Sequence, residues 1–300
     1  MSKVKFAHRA EAALVRAAIW ALRQPGPATA SRMAGAISAT IGPLIPVSRI
    51  ANRNLQMALP EMDRAARRRT IREVWQNLGQ TVAELVHIGA LRETASGPGF
   101  CITGWDEHVA PHLAKGGPSI ILTGHFGNWE IIPSAAYARG VDLAFMYRAA
   151  SNPLVDDIIL RLREANFGRK MLMFPKGGSG ARQAYAHLAR GGHLTLLVDQ
   201  KLDNGIPAPL FGREAMTTPA LATFARKFKC PVFPVRVVRI GPARLQVIWE
   251  PPMALPATGD RERDIAAATV AMNAILERWI REKPGAWLWL HRRWPKPLYK

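Results

Sequence analysis

The sequence predicts an α/β fold with a central, mostly parallel mixed sheet flanked by helices. Two observations carry this prediction: short apolar runs alternate with helical tracts beyond residue 118, and polar residues directly follow several of those runs. Apolar strands that alternate with helices are typical of a parallel sheet covered on both faces. The predicted strands lie at residues 120–122, 143–147, 171–174, 194–198, 232–238 and 245–249.

The predicted helices lie before and between these strands. Residues 64–85 form one of them, because apolar side chains recur on one side at helical spacing, at Ile71, Val74, Trp75, Leu78, Val82 and Leu85. Further helices are expected at residues 131–139, 153–165, 181–189 and 261–282. The 300 residues suffice for one large α/β domain or two small ones, with an ample core in either case.

The charge balance restricts the partners of the chain. There are 41 Lys and Arg residues against 22 Asp and Glu, a formal net charge of +19. Such a balance indicates a polyanionic partner: nucleic acid, an anionic membrane surface or a phosphorylated substrate. The sequence has no zinc-finger spacing, basic zipper or RNA-recognition signature, which argues against nucleic acid. The two cysteines, Cys101 and Cys230, imply no disulfide framework, which suits a reducing compartment.

The first 50 residues are expected to form a membrane-associating helical segment. Residues 10–22 are apolar but interrupted by Arg16, and residues 33–47 contain Pro43 and Pro46. Neither supplies the roughly 18–20 uninterrupted apolar residues of a spanning helix. A basic start followed by an apolar face fits an interfacial anchor, with an ordinary packing helix as the alternative. The basic start consists of Lys3, Lys5, His8 and Arg9.

One motif concentrates chemically useful residues. Residues 123–130, Thr-Gly-His-Phe-Gly-Asn-Trp-Glu, follow an apolar strand and precede a predicted helix. His125 and Glu130 can meet only if His125 lies in the turn and Glu130 in the first helical turn. The carboxylate would then hold the imidazole in one tautomer and leave the other nitrogen as a base. Since the motif contains no serine or cysteine, this base is expected to activate a substrate hydroxyl.

Polar residues at other strand ends are expected to join this motif. His125, Arg148, Lys176 and Asp199 each follow a predicted strand. Ligands of open α/β sheets bind beyond the carboxyl ends of the strands. The four side chains are therefore predicted to lie near one another.

Two competing motifs fit less well. Gly-Gly-Ser-Gly-Ala at residues 177–181 approaches the nucleophile elbow of hydrolases, with Asp199 and His291 as partners, but its last residue is alanine and His125 would have no role. His108 and His112 have the spacing of two metal ligands on a helix, but Pro111 separates them and no third ligand is near. No metal site is predicted.

Elements over most of the chain resemble a known family. They are Arg53-Asn-Leu55, Asn77-Leu-Gly79 through Glu84, the His125–Glu130 motif, Tyr147-Arg148, Asn152-Pro153, Arg161 and Arg163, Asp199-Gln200, Phe211-Gly212 and Trp289-Leu-His-Arg-Arg-Trp294. The chain resembles the late acyltransferases of lipid A biosynthesis, the lauroyl/myristoyl acyltransferases of Gram-negative inner membranes. The histidine–carboxylate core is shared with the wider glycerolipid acyltransferases, whereas the Asp-Gln, Phe-Gly and His-Arg-Arg elements narrow the resemblance to this branch.

This resemblance implies a glycerol-3-phosphate acyltransferase-like fold, with residues 51–300 as the catalytic domain. It implies transfer of a fatty acyl chain from an acyl carrier protein to a hydroxyl of a lipid A precursor of the Kdo-lipid IVA type, without a further cofactor. His125 would be the general base, oriented by Glu130. The enzyme would lie at the inner membrane with its active site facing the cytoplasm. The substrate-binding residues would be Asn128, Arg148, Arg163, Lys176, Asp199, Gln200, Arg292 and Arg293.

The resemblance leaves several points open. Arg163 is expected to pair with Glu130 or to lie near the developing oxyanion, and Arg161 is close enough in sequence to compete for that role. A same-fold acyltransferase acting on a lysophospholipid, ornithine lipid or glycolipid is the alternative enzyme. A basic membrane- or nucleic-acid-binding protein is the alternative outside enzymes.

Overall fold

The computed structural model describes residues 6–299. Lys3 and Lys5 of the basic N-terminal start lie outside the described residues. Four helices come first: α1 at Phe6–Arg23, α2 at Pro27–Ile41, α3 at Ser48–Ala58 and α4 at Arg64–Leu85. The start of α4 is fixed by Asp63, whose side chain accepts a hydrogen bond from Ala66 N at 2.7 Å.

Small residues let α2 pack closely on α4. A Cβ atom added to Gly79 of α4 would lie 2.4 Å from the carbonyl oxygen of Ala34 on α2. Within this contact the Ser31 hydroxyl donates to the Glu84 carboxylate at 2.6 Å. The N-terminal 50 residues are thus joined to α4 through a buried polar contact. The boundary at residue 50 stays a prediction.

The central sheet has seven strands in the order β1-β9-β8-β2-β5-β3-β4. Its β8–β9 pair is antiparallel and the other pairs are parallel, which confirms the predicted mostly parallel mixed sheet. A separate antiparallel hairpin, β6–β7, lies outside it. The strands are β1 Gly99–Thr103, β2 Ser119–Thr123, β3 Leu143–Tyr147, β4 Leu172–Pro175, β5 His193–Leu197, β6 Ile206–Leu210, β7 Arg213–Thr217, β8 Val232–Gly241 and β9 Arg244–Trp249.

Helices cover the sheet. They are α5 Ala110–Leu113, α6 Ile132–Tyr137, α7 Pro153–Phe167, α8 Gly178–Ala189, α9 Ala220–Phe228 and α10 Arg261–Glu282. The buried apolar side chains form two clusters, and β2 contributes to both. Ile120 and Leu122 belong to one cluster, and Ile121 between them belongs to the other. This alternation is the two-residue period of a strand buried on both faces.

Three elements differ from those expected. The helix expected at residues 131–139 is a 3₁₀ turn at Trp129–Ile131 followed by the short α6. Strand β1 and the β6–β7 hairpin were not predicted. Pro207 and Pro209 in β6 lack the N–H groups of a central strand, so this sequence pairs only in a two-stranded hairpin.

No described helix alone has the length and apolar character to cross a membrane, whereas residues Pro27–Leu44 and Ser48–Ala58, bent by 84°, meet that test as a pair by length and composition.

Candidate active site

The sheet register brings His125 and Asp199 together. Thr123 at the end of β2 pairs with Leu197 at the end of β5, so both chains leave the same sheet edge side by side. Two residues beyond each partner, His125 Nδ1 lies 2.9 Å from Asp199 Oδ1. The backbone N–H of His125 donates to Asp199 Oδ2, also at 2.9 Å. One carboxylate therefore fixes both the main chain and the ring of the histidine.

Asp199 is fully buried and held as an anion. Besides its bonds to His125, Oδ2 accepts a hydrogen bond from the indole N–H of Trp287 at 2.8 Å. Burial works against the charged carboxylate, but the charge of His125, its hydrogen bonds to the carboxylate and the nearby His291 keep the pKa of Asp199 well below its ordinary value. The carboxylate can therefore fix one tautomer of the ring, with the proton on Nδ1.

The other ring nitrogen of His125 is left for chemistry. Nε2 lies 3.5 Å from the side-chain amide nitrogen of Gln200, and the ring packs edge-on against Trp129 with centroids 4.8 Å apart. Burial lowers the pKa of His125, but the opposing effects of Asp199 and, more weakly, Glu130 leave it raised above its ordinary value. A raised pKa makes His125 a stronger base when it is neutral.

The structure corrects the expected role of Glu130. Its carboxylate makes a two-point contact with Arg163, with Nε at 3.0 Å and Nη2 at 2.6 Å, and no hydrogen bond joins it to His125 among residues 6–299. The side chain starts from a 3₁₀ turn that aims it at α7, which carries Arg163. The carboxylate that orients the base is therefore Asp199. Arg161 lies elsewhere on α7 and pairs with Asp157.

A buried network supports the histidine loop from below. Glu84 of α4 accepts from Asn128 Nδ2 at 2.8 Å and from Ala243 N at 3.0 Å, and it pairs with Arg239. Asn77 also donates to the carbonyl of Gly127, at 3.1 Å. The expectation that Asn128 binds substrate is wrong, because its side chain is fully buried in this network, with Oδ1 accepting from the backbone of Glu130.

Gly127 is required by the path of this loop. Its φ is +60°, and a Cβ atom there would lie 1.9 Å from the carbonyl oxygen of Val237. The left-handed conformation and the close approach both exclude a larger residue. The glycine thus lets the histidine loop lie directly on β8.

A cavity of about 1040 Å³ opens beside His125. Its wall carries apolar side chains from the sheet and the flanking helices, including Ile132, Phe145, Met146, Ile159, Met171, Met173 and Leu196. Polar side chains line the same cavity as His125, among them Glu130, Arg163, Gln200, Thr218 and His291. A volume of this size suits a large ligand with a long apolar part and one polar reacting centre.

The remaining expected substrate residues divide into two groups. Arg148 and Lys176 line the cavity and are exposed at the ends of β3 and β4, as the strand-end argument predicted. Arg293 is fully buried and donates to Thr217 Oγ1 at 2.7 Å and to the carbonyl of Met216, so its expected contact with substrate is wrong. Arg292 does not line the cavity and lies over the ring of Tyr299.

The competing motifs have other surroundings. Ser179 is exposed in the first turn of α8, where its hydroxyl accepts from Gln183 at 3.4 Å, and no histidine among the described residues bonds to it. His112 packs edge-on against Phe233. Gly177, Gly178 and Ala181 of the first motif line the cavity beside His125, but Ser179 and His112 do not.

A match to a family model identifies the family of this chain. A model described as bacterial lipid A biosynthesis acyltransferase matches residues 2–296, nearly the whole chain. The chain belongs to this family. A comparison with curated proteins gives no match.

Two residues of the acyltransferase site were missed by the sequence reasoning. Trp287 was not considered, and His291 appeared as the histidine of a rejected hydrolase and within the Trp289–Trp294 family element, without a role at the acyltransferase site. Both lie in the C-terminal segment, which an isolated bridge between Phe126 and Trp287 attaches to the histidine loop. The available signal was the aromatic-rich run at 287–291, because a buried indole N–H generally needs a hydrogen-bond acceptor.

Proposed function

We propose that this acyltransferase moves a fatty acyl chain from an acyl carrier protein thioester to a hydroxyl of a lipid A precursor of the Kdo-lipid IVA type. The observation that carries the proposal is the hydrogen bond between His125, which lines a largely apolar cavity, and the buried Asp199. A fixed imidazole beside an apolar cavity is the arrangement that transfer of a long acyl chain to a hydroxyl requires. Membership of the lipid A acyltransferase family supports the acceptor class.

In the proposed reaction His125 Nε2 takes the proton of the acceptor hydroxyl. The oxygen attacks the thioester carbonyl and forms a tetrahedral intermediate. Its collapse breaks the carbon–sulfur bond, and the leaving thiolate takes the proton from the imidazolium. The product is an ester and a free thiol, so protons and charges balance. Asp199 stabilises the imidazolium while it exists, as the aspartate does in serine hydrolases.

Arg163 and Glu130 have a separate part in this proposal. The pair lines the cavity, and its two nearly parallel hydrogen bonds hold the guanidinium rigidly. Nη1 makes no hydrogen bond to another described residue, so it is the part of Arg163 available to a substrate oxygen. Glu130 keeps the net charge of this wall near zero, which prevents Arg163 from lowering the basicity of His125.

Charged groups at the cavity mouth suit both substrates. Arg148 and Lys176 are exposed there and form no salt bridge with another described residue, which favours phosphate groups of an acceptor. The net charge of +19 would also attract an acidic acyl carrier protein electrostatically.

We also propose that the protein binds to the cytoplasmic face of the inner membrane. Exposed apolar side chains of large size usually occur singly on a protein surface, but here several of them share α1, α2 and the turn after α2. They are Phe6, Leu14, Trp20, Met33, Ile37, Ile41, Leu44 and Ile45. Arg16 and Arg23 of α1 lie near Trp20 in a surface groove. Apolar side chains beside arginines suit insertion at an anionic lipid surface.

Mass spectrometry of a purified reaction tests the chemistry. The protein is incubated with acyl carrier proteins charged with a range of saturated chains and with a Kdo-lipid IVA-type precursor. We expect one added acyl chain on the precursor with the wild type and none with folded His125→Ala. Acylation of a lysophospholipid or ornithine lipid but not of the precursor would instead identify the other-lipid acyltransferase.

Co-sedimentation with vesicles tests whether the protein binds to a membrane surface. Leu44 is 82% exposed in the turn after α2, and Ile240 is 47% exposed at the end of β8, so Leu44→Asp and Ile240→Asp form a matched pair. We expect Leu44→Asp alone to weaken binding to vesicles of phosphatidylethanolamine and phosphatidylglycerol. Equal binding by both variants and the wild type would contradict insertion by this face.

Neutralising Arg67, Arg68 and Arg69 should lower acyl-transfer activity little if the protein is an enzyme rather than a basic binding protein.

A further inference from the structure

His291 lines the cavity together with His125, and both of its ring nitrogens are buried. Neither nitrogen makes a hydrogen bond to another residue of the described range 6–299. Its ring stands edge-on against Trp287, with centroids 5.4 Å apart. Trp287 in turn donates a hydrogen bond to Asp199, the carboxylate that holds His125. His291 therefore packs against a residue that supports the catalytic base.

Unpaired buried polar nitrogens reduce stability unless something occupies them when the protein works. Both catalytic-site carboxylates are satisfied: Asp199 accepts from His125 and Trp287, and Glu130 holds Arg163. Among the described residues that line the cavity, buried polar atoms without a hydrogen-bond partner belong to Thr195, through its hydroxyl, and to His291, through both ring nitrogens. Because His291 borders the cavity, a substrate is the partner that its position allows.

The electrostatics keep this ring neutral. Burial lowers the pKa of His291 to about 4, with the positive charges of His125 and Arg293 adding to burial and the nearby Asp199 opposing it. At neutral pH one ring nitrogen therefore carries a proton and the other does not. His291 can donate one hydrogen bond without bringing a positive charge to the cavity.

We propose that His291 is a second catalytic imidazole, which donates a ring N–H hydrogen bond to the carbonyl oxygen of the acyl thioester as negative charge develops on it. The inference rests on the proposed acyl transfer. His125 is the base, and His291 neither gains nor loses a proton in the reaction.

A neutral donor fits this step better than a cationic one. His125 becomes positively charged when it takes the hydroxyl proton, and a second cation nearby would oppose that change. A neutral imidazole adds a hydrogen bond to the oxyanion without this repulsion, and neutral histidines polarise substrate carbonyls in other enzymes. Removal of one such donor typically costs about 10²–10³-fold in kcat.

Steady-state kinetics on three variants test the inference. His291→Leu removes both ring nitrogens, whereas His291→Gln keeps an N–H donor. His112→Leu is the matched control, because His112 also packs edge-on against an aromatic ring, Phe233 at 5.5 Å, but outside the cavity. We expect His291→Leu to lower kcat by about 10²-fold with little change in the acceptor KM. His291→Gln should retain about tenfold more activity than His291→Leu, and His112→Leu should match the wild type.

Equal kcat for folded His291→Leu and wild type would overturn the inference. So would equal losses in His291→Leu and His291→Gln, since a packing role ignores the N–H donor. A second readout does not depend on turnover: the ¹⁵N signals of the His291 ring during titration with an acyl-pantetheine ketone, in which a methylene replaces the thioester sulfur. The absence of these signals in His291→Gln assigns them to His291. A change in them during the titration of the wild type supports the contact, and an unchanged spectrum at saturation refutes it. Failure of the wild type to acylate any lipid A precursor would refute the proposed function instead.

Discussion

Two carboxylates flank the same cavity and differ in what they hold. Asp199 is fully buried, follows β5 and bonds to the ring and the main chain of His125. Glu130 follows His125 closely in sequence but gives both its oxygens to Arg163. The carboxylate nearest in sequence is therefore not the one that orients the base. The pairing of β2 with β5, rather than distance along the chain, determines which carboxylate contacts His125.

The difference follows from how each residue is attached. Asp199 leaves a strand that is hydrogen-bonded to the strand before His125, so the two side chains share one sheet edge. Glu130 starts a new helical turn, and that turn points its side chain toward α7. The first geometry fixes one tautomer of His125, and the second holds the guanidinium of Arg163 in a neutralised ion pair at the cavity wall.

The largest effect is expected at Asp199. Asp199→Asn keeps the shape but removes the negative charge and allows the wrong tautomer of His125, for which a loss of about 10³–10⁴-fold in kcat is typical. The measurement is acyl transfer at pH 7 with folding checked by circular dichroism. Asp264→Asn is the control, because Asp264 is another buried carboxylate but holds Thr258 at the start of α10. A greater loss in Glu130→Gln than in Asp199→Asn would restore Glu130 as the orienting residue.

A smaller effect is expected at Glu130. Glu130→Gln leaves the charge of Arg163 unbalanced near His125, so we expect kcat to fall by about 10²-fold, equivalent to roughly 2.7 kcal/mol. A double-mutant cycle with Arg163→Gln separates charge balance from orientation. If the pair acts as a unit, the double variant loses no more activity than Glu130→Gln alone. Additive losses would show that the two residues act independently.

Trp287 offers a test of the support behind Asp199. Trp287→Phe removes the N–H donor to the carboxylate, and a hydrogen bond to a charged group is worth about 1.5–3 kcal/mol, so we expect at least about a tenfold loss in kcat. Trp289→Phe is a closely matched control, because that buried indole donates to the carbonyl of Pro284, also at 2.8 Å. Similar kinetics in the two variants would mean that the bond to Asp199 adds stability but not activity.

The sequence allowed much of this site to be predicted, with a limit that has a physical reason. The runs that became β2 and β5 and the polar residues after them were recognised, since local apolar patterns mark strands. The strand-end argument placed His125 and Asp199 near one another, but not in direct hydrogen-bond contact, because which strands are neighbours depends on packing between distant segments. Glu130 was therefore chosen over Asp199, although its pairing with Arg163 was among the expectations. The C-terminal segment that carries Trp287 and His291 has no strand or helical period to place it.

The pH profile distinguishes the two carboxylates by the smallest expected effect. His125 must be neutral to act as a base, so kcat/KM should fall as the pH drops through its raised pKa. Both carboxylates favour the charged ring, Asp199 more strongly than Glu130. Removing either charge therefore lowers the pKa of His125 and moves the acid limb of the profile to lower pH. The shift should be larger in Asp199→Asn than in Glu130→Gln, measured from pH 5 to 9 under kcat/KM conditions. An acid limb that stays in place in Glu130→Gln would mean that neither the charge of Glu130 nor the unbalanced charge of Arg163 affects the pKa of His125, and it would leave Glu130 only the role of holding the Arg163 side chain in position.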